Sequence, residues 1–159
     1  MKYKKKIIFI VIIVLIVILT TTCSDKNTIF SPVAGKISPI TGEHEGFLYI
    51  PYNNNSLAIY GYKGSKVVIE IPAEIKKNKV EVIESRAFYE KGNISVNIGK
   101  NVKKIHYNAF INNPLTSIRI GDNVVVNNSF PSDFSSVYNG VGGHFTRESA
   151  DSNTWTRMP

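Results

Sequence analysis

An internal repeat constrains the fold of this 159-residue chain more than any other feature of its sequence. The segment 98–102, Ile-Gly-Lys-Asn-Val, recurs at 120–124 as Ile-Gly-Asp-Asn-Val, an offset of 22 residues. The segment 83–88 ends in Ala-Phe, and so does the segment 105–110, again 22 residues later. Two independent matches at one period indicate tandem structural units, which become stable when neighbouring units stack.

Each unit opens on a triplet whose first and third residues are branched and apolar. The three triplets are Ile69-Glu70-Ile71, Val96-Asn97-Ile98 and Ile118-Arg119-Ile120. Because side chains alternate along a strand, the apolar pair of a triplet lies on one face and the middle residue on the other. Stacking of the units therefore predicts adjacent parallel strands in which these six apolar side chains are buried.

The units also close alike. The first two end in Ala-Phe, at Phe88 and Phe110, and the third ends in Ser-Phe at Phe130, two residues early. We expect these phenylalanines to form a column inside the coil. The repeats cover about 67–93, 94–114 and 115–130, with extra residues around 76–80 in the first and a cap at 131–159. Beyond the leader no window of twelve residues keeps a helical apolar period, so the predicted fold class is mainly β.

A targeting segment at the N-terminus ends at the single cysteine of the chain. Lysines at four of the first six positions precede thirteen apolar residues, Ile7 to Leu19, which three threonines and Cys23 follow. At ~1.5 Å per residue this run reaches ~20 Å, short of the ~30 Å hydrocarbon core of a bilayer. The short span favours a signal segment over a permanent transmembrane helix.

The end of this segment resembles the signal of a bacterial lipoprotein, which implies that residues 1–22 are removed and that Cys23 is lipidated. The match departs from the usual lipobox, because Leu19 lies four residues before Cys23 instead of three, and Thr22 takes the small site. An uncleaved anchor and an ordinary secretory signal are the alternatives. The predicted location is the cell envelope, on a bacterial membrane through the lipid anchor, with surface exposure left open.

The leader also accounts for most of the positive charge. The whole chain has a formal net charge of +7, but residues 1–22 hold four lysines and no acid, so 15 basic and 12 acidic residues remain beyond them. So small an excess gives little support for nucleic-acid binding. Residues 23–46 are polar and rich in turn residues, and we expect a flexible tether there, ahead of a domain at 47–159.

The motifs beyond residue 47 resemble the BspA-like, or treponemal-type, leucine-rich repeat. The resemblance lies in the spaced Ile, Val and Ala-Phe positions, in a Gly-Tyr-x-Gly turn at 61–64, and in a terminal pattern at Phe134, Tyr138-Asn139, 143–147 and Trp155. It implies a short leucine-rich-repeat solenoid of stacked parallel strands, with N-terminal strands and a C-terminal cap. It also implies an adhesion or protein-binding module that contacts host or bacterial surface molecules.

No catalytic or metal-binding constellation stands out in the sequence. The three histidines, His44, His106 and His144, are far apart and belong to no nucleophile or metal signature. Glu43-His44-Glu45 resembles a metal site, but alternate residues in a flexible segment do not preorganise a coordination sphere. We therefore predict no enzyme, no cofactor and no metal. The tyrosines near the domain start fit half-buried strand positions better than a contact surface.

One set of residues is a candidate binding site. The middle residues of the triplets and the same-face positions before them are Glu70, Asn97 and Arg119 with Val68, Ser95 and Ser117. In a sheet formed in register they make a polar patch on the open face, the kind of surface through which solenoids bind partners. Its mixed charge suits a protein surface or a glycan and not nucleic acid. The alternative is a solvated face in a structural envelope protein with no external ligand.

Overall fold

A computed structural model describes residues 42–131 and 134–159, which belong to one compact unit, Ile37–Pro159. The predicted signal segment, Cys23 and the tether as far as residue 41 lie outside the described residues. The described chain forms two β-sheets and one short helix. Its elements are β1 (Gly42–His44), β2 (Phe47–Asn53), β3 (Ser56–Tyr62), β4 (Val68–Glu70), β5 (Glu74–Ile75), β6 (Asn78–Ile83), β7 (Ser95–Asn97), β8 (Lys104–Ile105), β9 (Ser117–Ile120), β10 (Val125–Val126), α1 (Phe134–Val137), β11 (Gly143–Thr146) and β12 (Thr156–Arg157).

Parallel strands from the three repeats build the centre of both sheets. In the five-stranded sheet, β4, β7 and β9 pair so that Ile69, Val96 and Ile118 lie side by side. In the seven-stranded sheet, β6, β8 and β10 pair in the same parallel manner. Each coil thus contributes one strand to each sheet. The predicted fold class, a mainly β solenoid of stacked parallel strands, is confirmed.

Further strands extend the two sheets at opposite ends of the coil. At the N-terminal end the seven-stranded sheet continues through β3, which is parallel to β6, and then through β2 and β1, which are antiparallel. At the C-terminal end the five-stranded sheet continues through β11 and β12, both antiparallel. The N-terminal strands therefore extend one sheet, and the strands of the C-terminal cap extend the other.

Strand β1 corrects part of the predicted tether. The tether was expected to include residues 42–46, but residues 42–44 pair with β2 in an antiparallel hairpin. The two residues between these strands, Glu45 and Gly46, both have positive φ, at 49° and 84°. Two successive left-handed residues form the tight turn that matches the twist of a hairpin. The chain is therefore already part of the sheet at residue 42.

A column of aromatic rings runs through the interior. Phe88, Phe110 and Phe130 stack nearly parallel, with ring centroids 4.8 and 4.9 Å apart. This separation matches the distance between neighbouring strands, because each coil places its phenylalanine one strand further along. The rings of Phe47 and Tyr62 continue the column at the N-terminal end. The predicted column is confirmed, and the six apolar residues of the triplets are buried as expected.

The cap closes this column beyond the third repeat. Its first ring, that of Phe134 on α1, is completely buried. The rings packed around it are those of Phe130, Tyr138, Phe145 and Trp155. The Tyr138 hydroxyl donates to the carbonyl of Gly121 at 2.7 Å and accepts from the N–H of Val124 at 2.9 Å. Burial raises the pKa of the Tyr138 phenol above its ordinary value.

A buried asparagine joins the backbones of two coils. The side-chain oxygen of Asn113 accepts from the N–H groups of Lys91 and Asn93, both at 3.0 Å. Its side-chain nitrogen donates to the carbonyls of Phe88 at 2.7 Å and Phe110 at 2.9 Å. One amide therefore satisfies four main-chain groups that the turns would otherwise bury without partners.

Two glycines at equivalent repeat positions have different surroundings. A Cβ atom on Gly99 would lie 2.6 Å from the carbonyl oxygen of Ile71, in the backbone of the preceding coil. A Cβ atom on Gly121 would meet nothing within 4 Å. Only the glycine of the second repeat is therefore required by close contact between coils.

Candidate binding face

The structure places the predicted site residues side by side on the outer face of the five-stranded sheet. Glu70, Asn97 and Arg119 occupy paired positions on β4, β7 and β9. Ser95 and Ser117 pair in the same way two residues earlier. Glu70 and Arg119 are exposed, whereas Asn97 and the two serines are half-buried. The residues are therefore together, in two parallel rows that cross the strands.

The cap adds two strands to this face, which the sequence did not indicate. In the antiparallel pairing of β11 with β9, His144 lies opposite Arg119 and Thr146 opposite Ser117. Thr156 on β12 then lies opposite Thr146. For β11 there is one local signal in the sequence, an alternation of polar and apolar residues. His144 and Thr146 are half-buried, and the phenylalanine between them is fully buried. We call the outward residues the polar face; they are Val68, Glu70, Ser95, Asn97, Ser117, Arg119, His144, Thr146 and Thr156.

Two side-chain contacts link neighbouring strands within the polar face. The amide nitrogen of Asn97 donates to the Glu70 carboxylate at 2.5 Å. The hydroxyl oxygen of Ser117 and Nε2 of His144 lie 2.9 Å apart. The first contact engages the acidic end of the face, and the second lies beside its basic end.

The two charges of the polar face do not neutralise each other. Glu70 and Arg119 are separated by β7, so their strands are about 10 Å apart at ~4.8 Å per strand. Within residues 42–131 and 134–159, neither side chain forms an ion pair; the pairs present there join Lys63 to Glu43 and Lys103 to Glu81. Arg119 therefore presents an exposed guanidinium, to which no side chain of residues 42–131 and 134–159 is ion-paired.

The contact of Ser117 with His144 contains two of the parts of a nucleophilic site. A hydroxyl next to an imidazole becomes an activated nucleophile when a third group orients the ring in an enclosed site. In the described part of the chain no carboxylate contacts His144, and the pair lies on an open sheet face. Among the described residues the pair therefore lacks the orienting group that such a nucleophilic site uses.

The other features singled out in the sequence are distributed over the remaining surface. Tyr49 and Tyr62 are buried in the core, whereas Tyr52 and Tyr60 are about half-exposed. Glu43 forms an ion pair with Lys63, at 2.8 Å, so it contributes to the β1 region and not to a metal site. No group of three or more metal-ligating side chains occurs in the part of the chain that the structure describes. Nor does any helix of residues 42–131 and 134–159 have the length and apolar character to cross a membrane.

Comparison with known proteins finds similarity among solved structures. A leucine-rich repeat protein of T. pallidum is 22% identical over 53% of this chain and 41% of its own, with a TM-score of 0.49. A leucine-rich cell-surface protein of Faecalibacterium prausnitzii is 30% identical over 55% of this chain and 25% of its own, with a TM-score of 0.48. Both are of the class that the sequence motifs predict. The chain spans less than half the length of either protein.

No protein-family model matches the chain, and no curated protein matches it either. The fold is nevertheless defined by its own geometry: parallel strands in register, one aromatic ring per coil and a buried asparagine between coils. The chain folds as a short β-solenoid of about three stacked coils, as the repeat predicts.

Proposed function

We propose that this protein is a non-enzymatic binding module of the bacterial cell envelope, which contacts a partner protein through the polar face. The observation that supports this proposal is the alignment of outward polar side chains across five strands, with Arg119 exposed and without an ion-pair partner among the described residues. Solenoids use surfaces of this kind to bind partners. If the only requirement on this face were solubility, any polar residues at these positions would meet it. A binding face, by contrast, requires particular polar groups at particular positions.

The size of the polar face predicts a weak individual contact. Five strands at ~4.8 Å spacing, with two outward positions on four of them and one on β12, cover about 300 Å². Stable interfaces bury roughly 800 Å² on each partner. Display of many copies on one membrane raises the effective concentration and compensates for a low single-site affinity. The proposal therefore includes attachment to a membrane.

Attachment is proposed through a lipid on Cys23, which becomes the first residue after removal of 1–22. The support is the lysine-rich start, the short apolar run and the position of the single cysteine. Mass spectrometry of the N-terminal peptide from native membranes tests this directly, and we expect a diacylglycerol mass on Cys23. Cys23→Ser should release the protein from the membrane, whereas the neighbouring change Ser24→Ala should not. An intact Met1 or an unmodified thiol would contradict the anchor.

The binding role is tested on intact cells that produce the full-length chain. Protease added outside the cells should degrade the domain while a cytoplasmic protein of the same cells stays intact. A protected domain would favour the structural alternative, an envelope protein with no external ligand. Partners captured by cross-linking on the wild-type cells should be lost in the double variant Glu70→Lys/Arg119→Glu. Turnover of a substrate by the purified protein would overturn the proposal as a whole.

A further inference from the structure

The basic end of the polar face has the composition of an anion site. Arg119 lies directly opposite His144 in the antiparallel pairing of β9 with β11. Side chains in such opposite positions have Cβ atoms about 4.5–5.5 Å apart, so both reach the same group above the sheet. The Ser117 hydroxyl, in contact with the His144 ring at 2.9 Å, lies beside them. Three side chains that carry hydrogen-bond donors therefore occupy neighbouring positions on the face.

The acidic groups near this point are occupied or distant. Glu70 is two strands away and accepts a hydrogen bond from Asn97. Asp122, in the turn after β9, accepts from the N–H of Gly142 at 2.8 Å. Glu148 is exposed, four residues beyond His144. The charge of Arg119 is therefore left for a group that the partner supplies.

We propose that Arg119, His144 and Ser117 form a subsite for the carboxylate of an acidic segment of the partner protein; this inference rests on the proposed function. A guanidinium presents two parallel N–H groups that match the two oxygens of a carboxylate. The imidazole of His144, in contact with the Ser117 hydroxyl, supplies a second polar group beside the guanidinium.

A protein is favoured over an acidic glycan because of what surrounds the subsite. Besides Glu70, Arg119 and His144, the outward positions on the described strands of the sheet carry short hydroxyl and amide side chains, the Val68 side chain and no Phe, Tyr or Trp. Such a surface offers polar groups in rows across the strands, with a period of ~4.8 Å. It lacks the flat aromatic rings on which sugar rings pack. An acidic segment lying across the strands satisfies both the charge and the period.

The test uses a defined probe and matched variants of the full-length chain purified in nonionic detergent. The probe is a twelve-residue peptide of alternating Glu and Ser, acetylated and amidated, and its Gln and Ser counterpart is the uncharged control. Arg119→Gln should weaken binding of the Glu peptide at least about tenfold, the loss typical of a charged contact residue. Lys104→Gln on β8 removes the same charge from the other sheet and should change the affinity less than about twofold.

A second substitution tests the contribution of the histidine. His144→Gln should weaken binding of the Glu peptide less than Arg119→Gln does, because it removes a hydrogen-bonding ring and leaves the guanidinium in place. Equal losses in Arg119→Gln and Lys104→Gln would overturn the subsite. Tighter, Arg119-dependent binding of polysialic acid would reassign the partner to an acidic glycan.

A further variant separates the subsite from the face that carries it. Ser95→Tyr places a bulky uncharged side chain at the centre of the polar face, where an aromatic residue suits a strand. If this variant blocks the peptide and Arg119→Gln does not, the face binds partners but the carboxylate subsite is refuted. If neither variant affects binding, the proposed use of the polar face fails as well. Unchanged thermal unfolding of each variant confirms that the fold is intact.

Discussion

The two sheets of this solenoid share one core but differ on their outer sides. The seven-stranded sheet carries two ion pairs: Lys103 contacts Glu81 at 2.7 Å, and Lys63 contacts Glu43 at 2.8 Å. The hydrogen bond from Lys63 to Glu43 raises the pKa of the Lys63 ammonium above its ordinary value. On the five-stranded sheet no ion pair forms among the described residues, and Arg119 remains unneutralised.

The proposed function assigns partner binding to only one of these two surfaces, although both are built from the same repeats. The two ion pairs of the seven-stranded sheet are exposed or partly exposed, and pairs of this kind add little to stability. The five-stranded sheet keeps its polar groups in ordered rows that a partner is free to contact. Changes in the shared core should therefore affect both sheets, and changes on the outer sides should distinguish them.

The largest effect is expected from the shared core. Phe110→Ala removes the middle ring of the aromatic column, which stacks on both neighbours. The free energy of unfolding should fall by about 3–5 kcal/mol, as for other large core truncations. Chemical denaturation followed by circular dichroism measures the loss, with the exposed Tyr107→Ala as control. A loss below about 1 kcal/mol would mean that the two sheets do not depend on a common core.

The next effect concerns the hydrogen bonds that join the coils. Asn113→Ala leaves three buried backbone groups and the part-buried N–H of Lys91 without this partner. Each unsatisfied buried group costs about 1–3 kcal/mol before relaxation and water entry reduce the penalty, so we expect a net loss of about 2–4 kcal/mol. The exposed Asn153→Ala is the control and should cost less than about 1 kcal/mol. Similar losses in both variants would contradict the assigned role of Asn113.

The repeat glycines test whether equivalent positions are energetically equivalent. Gly99→Ala inserts a methyl group against the backbone of the preceding coil, which should cost about 1–3 kcal/mol. Gly121→Ala enters open space and should change stability by less than about 0.5 kcal/mol. Thermal unfolding of the two variants side by side gives the comparison. Equal midpoints would show that the coils can separate enough to admit the methyl group.

The smallest effect on stability is expected on the polar face. Glu70→Lys/Arg119→Glu reverses both charges without touching the core, and the unfolding free energy should stay within about 0.5 kcal/mol of wild type. The same variant should lose the partner on cells, so stability and binding respond differently. A large loss of stability would mean that these side chains support the sheet, which would remove the reason to assign them to a ligand.

The sequence predicted the parts of this fold that repeat and missed those that depend on tertiary pairing. The triplets and the phenylalanine column follow from a period of two within strands and of 22 between coils. The parallel partners β8 and β10 have two residues each, too few to show an alternating pattern. Asn113 has the sequence character of a turn residue, and its buried hydrogen bonds are visible only in the structure.

The candidate site was anticipated on three strands and extends over five. Glu70, Asn97 and Arg119 were identified because they occupy one position of a repeated motif. His144 belongs to the cap, which has no repeat, so its place opposite Arg119 depends on the antiparallel return of β11. Whether these residues bind a partner stays a prediction.

The opposite extension of the two sheets also limits how molecules can join end to end. Beyond the three repeat strands, the seven-stranded sheet has three more levels at its N-terminal end, and the five-stranded sheet has two more at its C-terminal end. Suppose that two molecules stack head to tail, with β12 of one molecule paired to β4 of the next. The edge strands β10 and β1 of the seven-stranded sheets would then be displaced from their pairing positions by about one strand spacing, ~4.8 Å. Only one of the two sheets can then continue into the next molecule. Strand edges are where chains polymerise, and this one-strand mismatch prevents both sheets from continuing together through a head-to-tail stack.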